Sequence, residues 1–257
     1  MNYDELTAYY ESSHDEKSRL INDKMHSLEY ITTMYLFKKY LPGSGSVIDC
    51  CAGGGIYSFT LAKQGYEVTA GDLMKKHVDI LHSDNKNGLL KAVYQIDVLD
   101  MSRFESESFD IVLCMGALYH IMKYDDRQKC VSECLRLLKR GGCFVAAYVN
   151  RNAVYINHFN QGSDIEKRRQ TYQTGKNGIF YAMDFGESDN LMNQFPLVKI
   201  TNAGVDGLIY PLKERLNSAS KDDFDDYLQY HLASCEQPSI IGHSMHGLYI
   251  GRKTDGR

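Results

Sequence analysis

The feature that most constrains this chain is a regular alternation of short apolar runs and amphipathic helices between residues 46 and 149. Strands that alternate with helices imply βαβ units, right-handed crossovers and a parallel sheet. The predicted strands are Ser46–Cys50, Tyr66–Ala70, Ala92–Ile96, Phe109–Met115 and Cys143–Val149. The predicted helices are Ile56–Gln64, Lys75–Ser83 and Asp125–Arg140. The pattern therefore predicts a doubly wound α/β fold with helices on both faces of the sheet.

The residues before this alternation have a helical pattern. Ser13 and Glu16 have the spacing of a capping box, and Pro42 ends the run. We interpret 1–43 as an N-terminal helical lid in front of a cofactor-binding core, which spans 44–150.

The residues after the alternation change character twice. Residues 151–195 are polar and rich in tyrosine, without a clear strand, and we interpret them as a cap insertion after strand five. Regularity returns in 196–257, which contains strand-like Val198–Val205, a helix near Asp222–Cys235 and a last strand at Gly247–Gly251. The whole chain, 1–257, is predicted to form a single domain.

Composition and charge disfavour several classes of protein. The net charge is −4, and the densest basic run, at 167–169, stands alone, so we expect no nucleic-acid partner. The apolar runs are too short to span a bilayer, and the N-terminus does not have the pattern of a signal peptide. Seven cysteines without a CxxC pair indicate reduced thiols and a cytoplasmic location. Cys130 and Cys134 share a helix face, but no second ligand pair is near them in the sequence, so no metal is predicted.

A glycine-rich turn follows the first predicted strand. The sequence VIDCCAGGGIYS runs from Val47 to Ser58 and leads into a helix. Such a turn lets a ligand approach the backbone closely and presents helix N–H groups to it. Asp72 closes the second strand about 20 residues later, where an acid suits hydrogen bonding to a ribose diol. Because ligands bind at the carboxyl ends of such strands, the glycines and Asp72 are predicted to form one site.

Two ligand classes fit this site, a nicotinamide or flavin dinucleotide and S-adenosylmethionine. Three features favour the second. Asp49 ends the first strand, where dinucleotide binders usually carry apolar residues. The spacing of Gly53, Gly55 and Ser58 lacks the third glycine or alanine of GxGxxG, because serine stands there. A further acid, Asp97, closes the third strand.

Residues 45–150, and more weakly 198–253, resemble the class I S-adenosylmethionine-dependent methyltransferases, of the type that methylates small molecules such as those of quinone biosynthesis. VIDCCAGGG resembles motif I, FDIVLCMGALYHI resembles motif IV, and LLKRGGCFVAA resembles the helix, turn and strand that follow. Cys51 replaces the first glycine of motif I, and a Cβ there narrows the pocket and is strained if φ is positive. The Asn-Pro-Pro-Tyr motif of enzymes that methylate adenine or glutamine amino groups is absent.

The resemblance implies a seven-stranded, mostly parallel sheet whose last strand, HGLYIGRK, is antiparallel. It also implies S-adenosyl-L-methionine as cofactor, with S-adenosyl-L-homocysteine as product and no metal. In this family Asp72 matches the acid that binds the ribose hydroxyls, and Asp97 matches the acid near the adenine amino group. The implied cofactor-binding residues are Asp49, Cys51, Gly53, Gly55, Asp72, Leu73, Asp97, Val98, Cys114 and Met115.

Three further residues are candidates for the chemistry. A sulfonium already activates the methyl group, so the protein need only align the acceptor and remove its proton. His120 is a candidate base, because an unperturbed histidine titrates near neutral pH, and Tyr119 is a candidate for orienting substrate. Arg19 is a candidate for a bidentate bond to the cofactor carboxylate, the alternative being a solvated surface charge. The alternative for His120 is a turn cap or packing against the cap.

Aromatic residues of the predicted lid and cap are candidates for an apolar acceptor pocket. Tyr9 and Tyr10 could close over the site. The candidates in the cap are Tyr155, Tyr172, Phe180, Tyr181 and Phe185. Simple packing of the lid and cap is the alternative.

The sequence therefore favours a methyltransferase that acts on an oxygen, nitrogen or sulfur atom of a small molecule. Two alternatives stay open. One is a nucleotide-dependent oxidoreductase of similar fold, and the other is a non-catalytic module that binds S-adenosylmethionine. The sequence does not indicate the acceptor or the oligomeric state.

Overall fold

The computed structural model describes residues 3–12, 18–184 and 186–254. Its strands are β1 Ser46–Asp49, β2 Glu67–Asp72, β3 Ala92–Gln95, β4 Phe109–Cys114, β5 Leu138–Asn150, β6 Lys176–Asn177, β7 Phe180–Met183, β8 Leu197–Gly204 and β9 His246–Lys253. Its helices are α1 Tyr3–Glu11, α2 Lys24–Tyr40, α3 Ile56–Lys63, α4 Lys75–Asp84, α5 Tyr124–Leu137, α6 Arg151–Asn160, α7 Ile165–Thr174, α8 Glu187–Met192, α9 Lys213–Ser218, α10 Lys221–Ser234 and α11 Pro238–Ile241. Within these described residues, no helix combines the length and the apolar character that crossing a membrane requires.

The main sheet has the order β3-β2-β1-β4-β5-β9-β8. The first five strands are parallel, β9 is antiparallel to β5, and β8 is antiparallel to β9. The predicted doubly wound, mostly parallel sheet is therefore confirmed, with nine strands where seven were predicted because β7 and β6 continue from β5, and HGLYIGRK forms the antiparallel strand β9. The strand order reverses between β1 and β4, which places the crevice for a ligand at the carboxyl ends of these strands.

The central strands are buried on both faces, as apolar runs in a parallel sheet predict. Ile48 of β1 and Val112 of β4 pack on one face against Val131 of α5. On the other face, Val47 packs in a second cluster together with Leu61 of α3. All five side chains have 1% exposure or less. This rigid centre holds the strand ends in place.

The region predicted as a cap differs from its prediction, because it contains a strand. Residues 151–195 form the helical hairpin α6–α7, the short pair β6–β7 and helix α8. Strand β7 extends the sheet through parallel pairs of Val149 with Ala182 and of Asn150 with Met183. The strand escapes prediction because it has only four residues, and its partner is the part of β5 that runs beyond β4.

The helical prediction for the N-terminus holds for α1 and α2, whereas the capping box at Ser13 and Glu16 lies outside the described residues. Asp23 caps α2 instead, since its carboxylate accepts a 2.8 Å hydrogen bond from the backbone N–H of His26. Helix α5 also ends earlier than its pattern predicts. It stops at Leu137, because Leu138 already pairs with Phe109 in the sheet.

Candidate functional site

A cavity opens at the carboxyl ends of β1 to β4, where the topology places a ligand crevice. Most of the predicted site residues line it, namely Arg19, Asp49, Cys51, Gly53, Asp72, Leu73, Asp97, Val98, Met115, Tyr119 and His120. Leu6 and Tyr10 of α1 line the same cavity, so the N-terminal helix lies against its mouth.

Two predicted residues have other surroundings. The side chain of Cys114 is fully buried in the core under the cavity, because it has the same strand parity as Val112 and faces α5, whereas Met115 reaches the cavity. Gly55 supplies the left-handed residue before α3, with φ of +83°. A Cβ on Gly55 would stand 2.6 Å from Leu81, so this glycine serves the packing of the turn and does not line the cavity.

Asp49 stabilises the glycine-rich turn between β1 and α3. Ser58 Oγ donates a 2.6 Å hydrogen bond to Asp49 Oδ2, and the Cys51 backbone N–H lies 3.4 Å from Asp49 Oδ1. Burial raises the pKa of Asp49 to about 7, against the opposing effect of these two donors. Asp49 therefore connects the end of β1 to the start of α3 through hydrogen bonds.

The cysteine in place of the first glycine of motif I fits without backbone strain. Among the described residues, the only non-glycine residue with positive φ is Glu107, so Cys51 lies in an ordinary region. The space for its side chain comes from Gly116 at the end of β4, where an added Cβ would stand 2.7 Å from the Cβ of Cys51. Gly53 keeps its left-handed conformation, with φ of +53°.

Asp72 links the glycine turn to the second strand. Its carboxylate accepts 2.8 Å hydrogen bonds from the backbone N–H groups of Gly53 and Met74, and only 7% of the residue is exposed. His77 Nδ1 lies 3.1 Å from Asp72 Oδ1. A carboxylate has about four lone-pair directions, so two bonds leave acceptor capacity for a ligand diol in the cavity.

Asp97 lies at the end of β3 and is contacted by the N-terminal helix. Its Oδ1 accepts from the Leu99 backbone N–H at 2.8 Å, and its Oδ2 accepts from the hydroxyl of Tyr3 at 2.7 Å. The hydrogen bond from Tyr3 is one that sequence reasoning did not anticipate, since 94 residues separate the two partners. It covers an acid that the family resemblance assigns to the adenine end of the cofactor.

Arg19 is held by a buried carboxylate network. Its two terminal nitrogens lie 2.9 and 3.3 Å from the oxygens of Glu29 on α2. His246 Nδ1 is 3.5 Å from Glu29 and 2.7 Å from Asp206. Burial alone would raise the pKa of Glu29, but Arg19 and His246 outweigh it and lower that pKa to about 2. Arg19 is therefore oriented at the cavity wall, and the prediction of a merely solvated charge does not describe it.

The ligand atoms of Glu29, Asp206 and His246 lie within 4.8 Å of one another, a spacing that a metal ion would also suit. The guanidinium of Arg19 already supplies a cation to this group, and Ser244 Oγ donates to Asp206 Oδ1. We therefore interpret the network as support for Arg19. None of Glu29, Asp206 and His246 was predicted, because their approach depends on the pairing of β9 with distant strands.

His120 lines the cavity and has a defined hydrogen-bond partner at each ring nitrogen. Its Nδ1 is 3.2 Å from the carbonyl oxygen of Ile179, which can only accept, so the neutral ring carries its proton on Nδ1. The lone pair on Nε2 then accepts from the hydroxyl of Tyr10 at 2.9 Å. Burial lowers the pKa of His120 to about 4, which makes the ring neutral at pH 7.

Aromatic rings surround this hydrogen bond. Tyr9 of α1 packs edge-on against Tyr10 and Phe180, and Phe180 lies 4.9 Å from the His120 ring centroid. The hydroxyl of Tyr119 donates to the carbonyl of Met115 at 3.2 Å. Lid and cap therefore meet at His120, through Tyr10 from one side and Phe180 from the other.

The other predicted cap aromatics lie elsewhere. Tyr155 and Tyr172 pack on each other, 6.0 Å between ring centroids, on the exposed face of the α6–α7 hairpin. Tyr181 is buried, donates to Glu187 Oε1 at 2.6 Å and stacks under Arg127. Phe185 lies outside the described residues. These three tyrosines therefore do not line the cavity at the strand ends, because two lie on the outer face of the hairpin and Glu187 and Arg127 hold the third.

About half of the sequence is similar to known methyltransferases. A family model described as a methyltransferase domain matches residues 48–146. A ubiquinone biosynthesis O-methyltransferase of Coxiella burnetii is 28% identical over 128 residues, which cover 50% of this chain and 53% of that protein. This chain thus spans about half the length of the curated relatives that it matches.

Solved structures share the fold across most of the chain. A SAM-dependent methyltransferase of Methanosarcina mazei has a TM-score of 0.61 at 17% identity, covering 86% of this chain and 98% of that one. The [4+2]-cyclase SpnF has a TM-score of 0.57 at 15% identity, covering 89% and 81%. At such identities the likeness shows the fold, and the cyclase is named for a different reaction. Residues 48–146 therefore match a methyltransferase domain, and the chain has the class I, Rossmann-like methyltransferase fold.

Proposed function

We propose that this protein transfers a methyl group from S-adenosyl-L-methionine to a hydroxyl oxygen of a small molecule. The observation that carries the choice of oxygen is the Nε2 lone pair of His120, which already accepts a hydroxyl hydrogen bond, from Tyr10, inside the cavity. The name of the Coxiella burnetii relative, an O-methyltransferase, supports the same choice.

The residues present fit the cofactor. Asp72 has acceptor capacity for the ribose hydroxyls, and we propose that Asp97 contacts the adenine and that Arg19, held by Glu29 at the cavity wall, contacts the carboxylate. When bound, the cofactor supplies an electrophilic methyl group on a sulfonium. Gly53 keeps the backbone of the turn open toward the cavity, and Cys51 and Met115 are proposed to line the methionine part.

In the proposed mechanism His120 orients the acceptor and takes its proton. An acceptor hydroxyl in the place of the Tyr10 hydroxyl donates to Nε2, which turns an oxygen lone pair away from that bond and toward the incoming methyl. As the oxygen forms its new bond, its proton passes to Nε2, while Nδ1 keeps its bond to the Ile179 carbonyl. Tyr119 shapes the adjoining wall.

We further propose that α1 acts as a lid. It contacts Asp97 at one end through Tyr3 and His120 at the other through Tyr10, so its hydroxyls occupy two polar groups that the ligands need. Closure over bound ligands excludes water from the sulfonium and the acceptor. Residues 151–195 contribute to this cover through Phe180. The remaining predictions of a small-molecule acceptor, no nucleic-acid partner and a cytoplasmic location stay predictions.

The test is methyl transfer from labelled S-adenosylmethionine to a panel of phenols, alcohols, amines and thiols, followed by mass spectrometry. We expect products only with hydroxyl acceptors. The variant His120→Ala should lose about 10²–10⁴-fold in kcat while S-adenosylhomocysteine affinity stays within about twofold. The low-pH limb of kcat/KM should lie near the pKa of the free enzyme's base, about 4, and should vanish in the variant.

A matched control is His158→Ala, which removes a buried histidine on α6 outside the cavity and should leave kcat unchanged. Methylation of amines or thiols alone would overturn the choice of oxygen. Binding of S-adenosylhomocysteine without transfer to any acceptor class would favour the non-catalytic module, and binding of NAD instead would favour the oxidoreductase.

A further inference from the structure

Five of the seven cysteines lie together in the core beneath the cavity. Cys50 and Cys51 follow β1, Cys114 ends β4, and Cys130 and Cys134 are one turn apart on α5. The members come from three separate elements, so their approach is a result of the fold and was not predicted from spacing. All except Cys51 have 1% exposure or less.

Three of these thiols have the spacing of metal ligands. The Sγ atoms of Cys114, Cys130 and Cys134 all lie within 4.8 Å of one another, and those of Cys114 and Cys130 are 3.7 Å apart. Metal–sulfur bonds of 2.3 Å in a tetrahedral site place neighbouring sulfurs roughly 3.8 Å apart. The observed separation of Cys114 and Cys130 therefore matches a shared ligand sphere.

Cys51 lies between these three thiols and solvent, and its Sγ is not one of the three that lie within 4.8 Å of one another. Its thiol interacts with that of Cys114, and the residue is half-buried and lines the cavity. An ion that enters the cavity therefore reaches the cluster through Cys51. The other three thiols lie in an apolar environment that offers no competing oxygen ligand among the members of their core cluster.

The backbone supports Cys114 as a ligand, because its Sγ accepts a hydrogen bond from the Ala117 backbone N–H. A backbone N–H bonded to sulfur is the kind of support that orients a metal ligand.

We propose that Cys114, Cys130 and Cys134 form a site for a thiophilic d¹⁰ cation, with Zn²⁺ as its reference ion, and that Cys51 turns its thiol toward the ion as the fourth ligand. Thiolate sulfurs select such ions over Mg²⁺ and Ca²⁺. Each coordinating thiol releases its proton to solvent as its sulfur binds, with no change of oxidation state. The bound ion would join the ends of β1 and β4 to α5 directly under the cavity.

The test is a titration of the reduced, metal-free protein with Co²⁺, which reports tetrahedral thiolate ligation through visible d–d bands and near-ultraviolet charge-transfer bands. We expect the bands to saturate at one equivalent and to disappear when Zn²⁺ displaces Co²⁺. Because binding is restricted to the folded state, Zn²⁺ should also raise the melting temperature. These readouts do not depend on methyl transfer, so they are separate from the test of the proposed function.

Variants locate the site. Cys130→Ser and Cys134→Ser should each weaken Co²⁺ binding by at least tenfold, and Cys51→Ser, in the half-buried turn, provides a variant that keeps the core intact. Cys143→Ser and Cys235→Ser remove buried thiols outside the cluster and should leave the spectrum unchanged. The proposal is overturned if no bands appear, if Cys51→Ser and the α5 variants retain them, or if the two control variants abolish them.

Discussion

The floor of the cavity and the helix that covers it are held by different kinds of interaction. The floor is built from strand ends whose side chains pack on both faces of the sheet, and Ile48, Val112 and Leu113 are fully buried. Helix α1 has a single buried residue, Leu6. Besides Leu6, which lines the cavity, the helix is held there by hydrogen bonds of Tyr3 with Asp97 and of Tyr10 with His120.

The packed floor therefore determines the geometry of the site, whereas helix α1 determines access to it. The packed floor keeps Asp72 and the glycine turn in position whether or not a ligand is present. The lid is anchored by hydroxyls on the polar groups that ligands are proposed to use, so these contacts must give way as a ligand enters, before α1 closes over it. Changes in the floor should therefore have large effects on cofactor affinity, and changes in the lid should have smaller effects that depend on the acceptor.

The largest effect is expected at Asp72. Asp72→Ala removes a carboxylate that is proposed to accept from the ribose and that already holds Gly53. Charge-assisted hydrogen bonds contribute roughly 1.5–3 kcal/mol each. Calorimetry should show S-adenosylhomocysteine affinity weaker by at least about tenfold. The control Asp79→Ala removes an exposed carboxylate on α4, paired with Lys75, and should have no effect. Equal affinity in Asp72→Ala and the native protein would mean that β2 does not hold the ribose.

An intermediate effect is expected at Glu29 of α2, which orients Arg19 at the cavity wall. Glu29→Gln keeps the shape but removes the charge that faces Arg19 and His246, and we expect about fivefold weaker binding of S-adenosylhomocysteine. The control Glu133→Gln breaks an Arg–Glu pair on α5 away from the cavity. If both variants behave alike, Arg19 does not bind the cofactor.

The free energy of unfolding of Glu29→Gln should also differ from that of the native protein by an amount that depends on pH. The lowered pKa of Glu29 stabilises the folded state above its unfolded pKa and loses that contribution as the pH falls toward 2. The raised pKa of His246 stabilises the folded state below its unfolded pKa and loses that contribution as the pH rises. The stability gap between native protein and Glu29→Gln should therefore be widest near pH 5–6, in urea titrations across pH.

The smallest effect is expected at Tyr10. Tyr10→Phe removes the hydroxyl that occupies His120 Nε2, and a neutral hydrogen bond contributes a net 0.5–1.5 kcal/mol, or about two- to tenfold. We expect the KM for the acceptor to fall by that factor with kcat unchanged. Tyr155→Phe, on the outer face of the α6–α7 hairpin, is the matched control. A fall in kcat would instead make the Tyr10 hydroxyl part of the reaction.

The floor could be predicted from sequence because local rules specify it. Apolar runs predict β1 and β4, glycines predict the turn, and Asp72 and Asp97 end strands whose carboxyl ends share one sheet edge. The alternation of side chains along a strand would also have predicted that Cys114 and Met115 face opposite sides of the sheet.

The lid and cap contacts could not be predicted, because they join residues far apart in the chain. Tyr3 reaches Asp97 across 94 residues, and Tyr10 reaches His120 across 110. Strand β7 has only four residues, and its place depends on the overhang of β5. The cysteine cluster likewise requires three elements to meet.

The most direct test of the central claim is hydrogen exchange by mass spectrometry on the full chain, with and without saturating S-adenosylhomocysteine and, separately, NAD. We expect rapid exchange of α1 in the free protein and slow exchange of the central strands. S-adenosylhomocysteine should protect 49–55 together with α1, and NAD should protect neither. Protection of 49–55 alone would contradict the lid, and protection by NAD but not by S-adenosylhomocysteine would contradict the cofactor site itself.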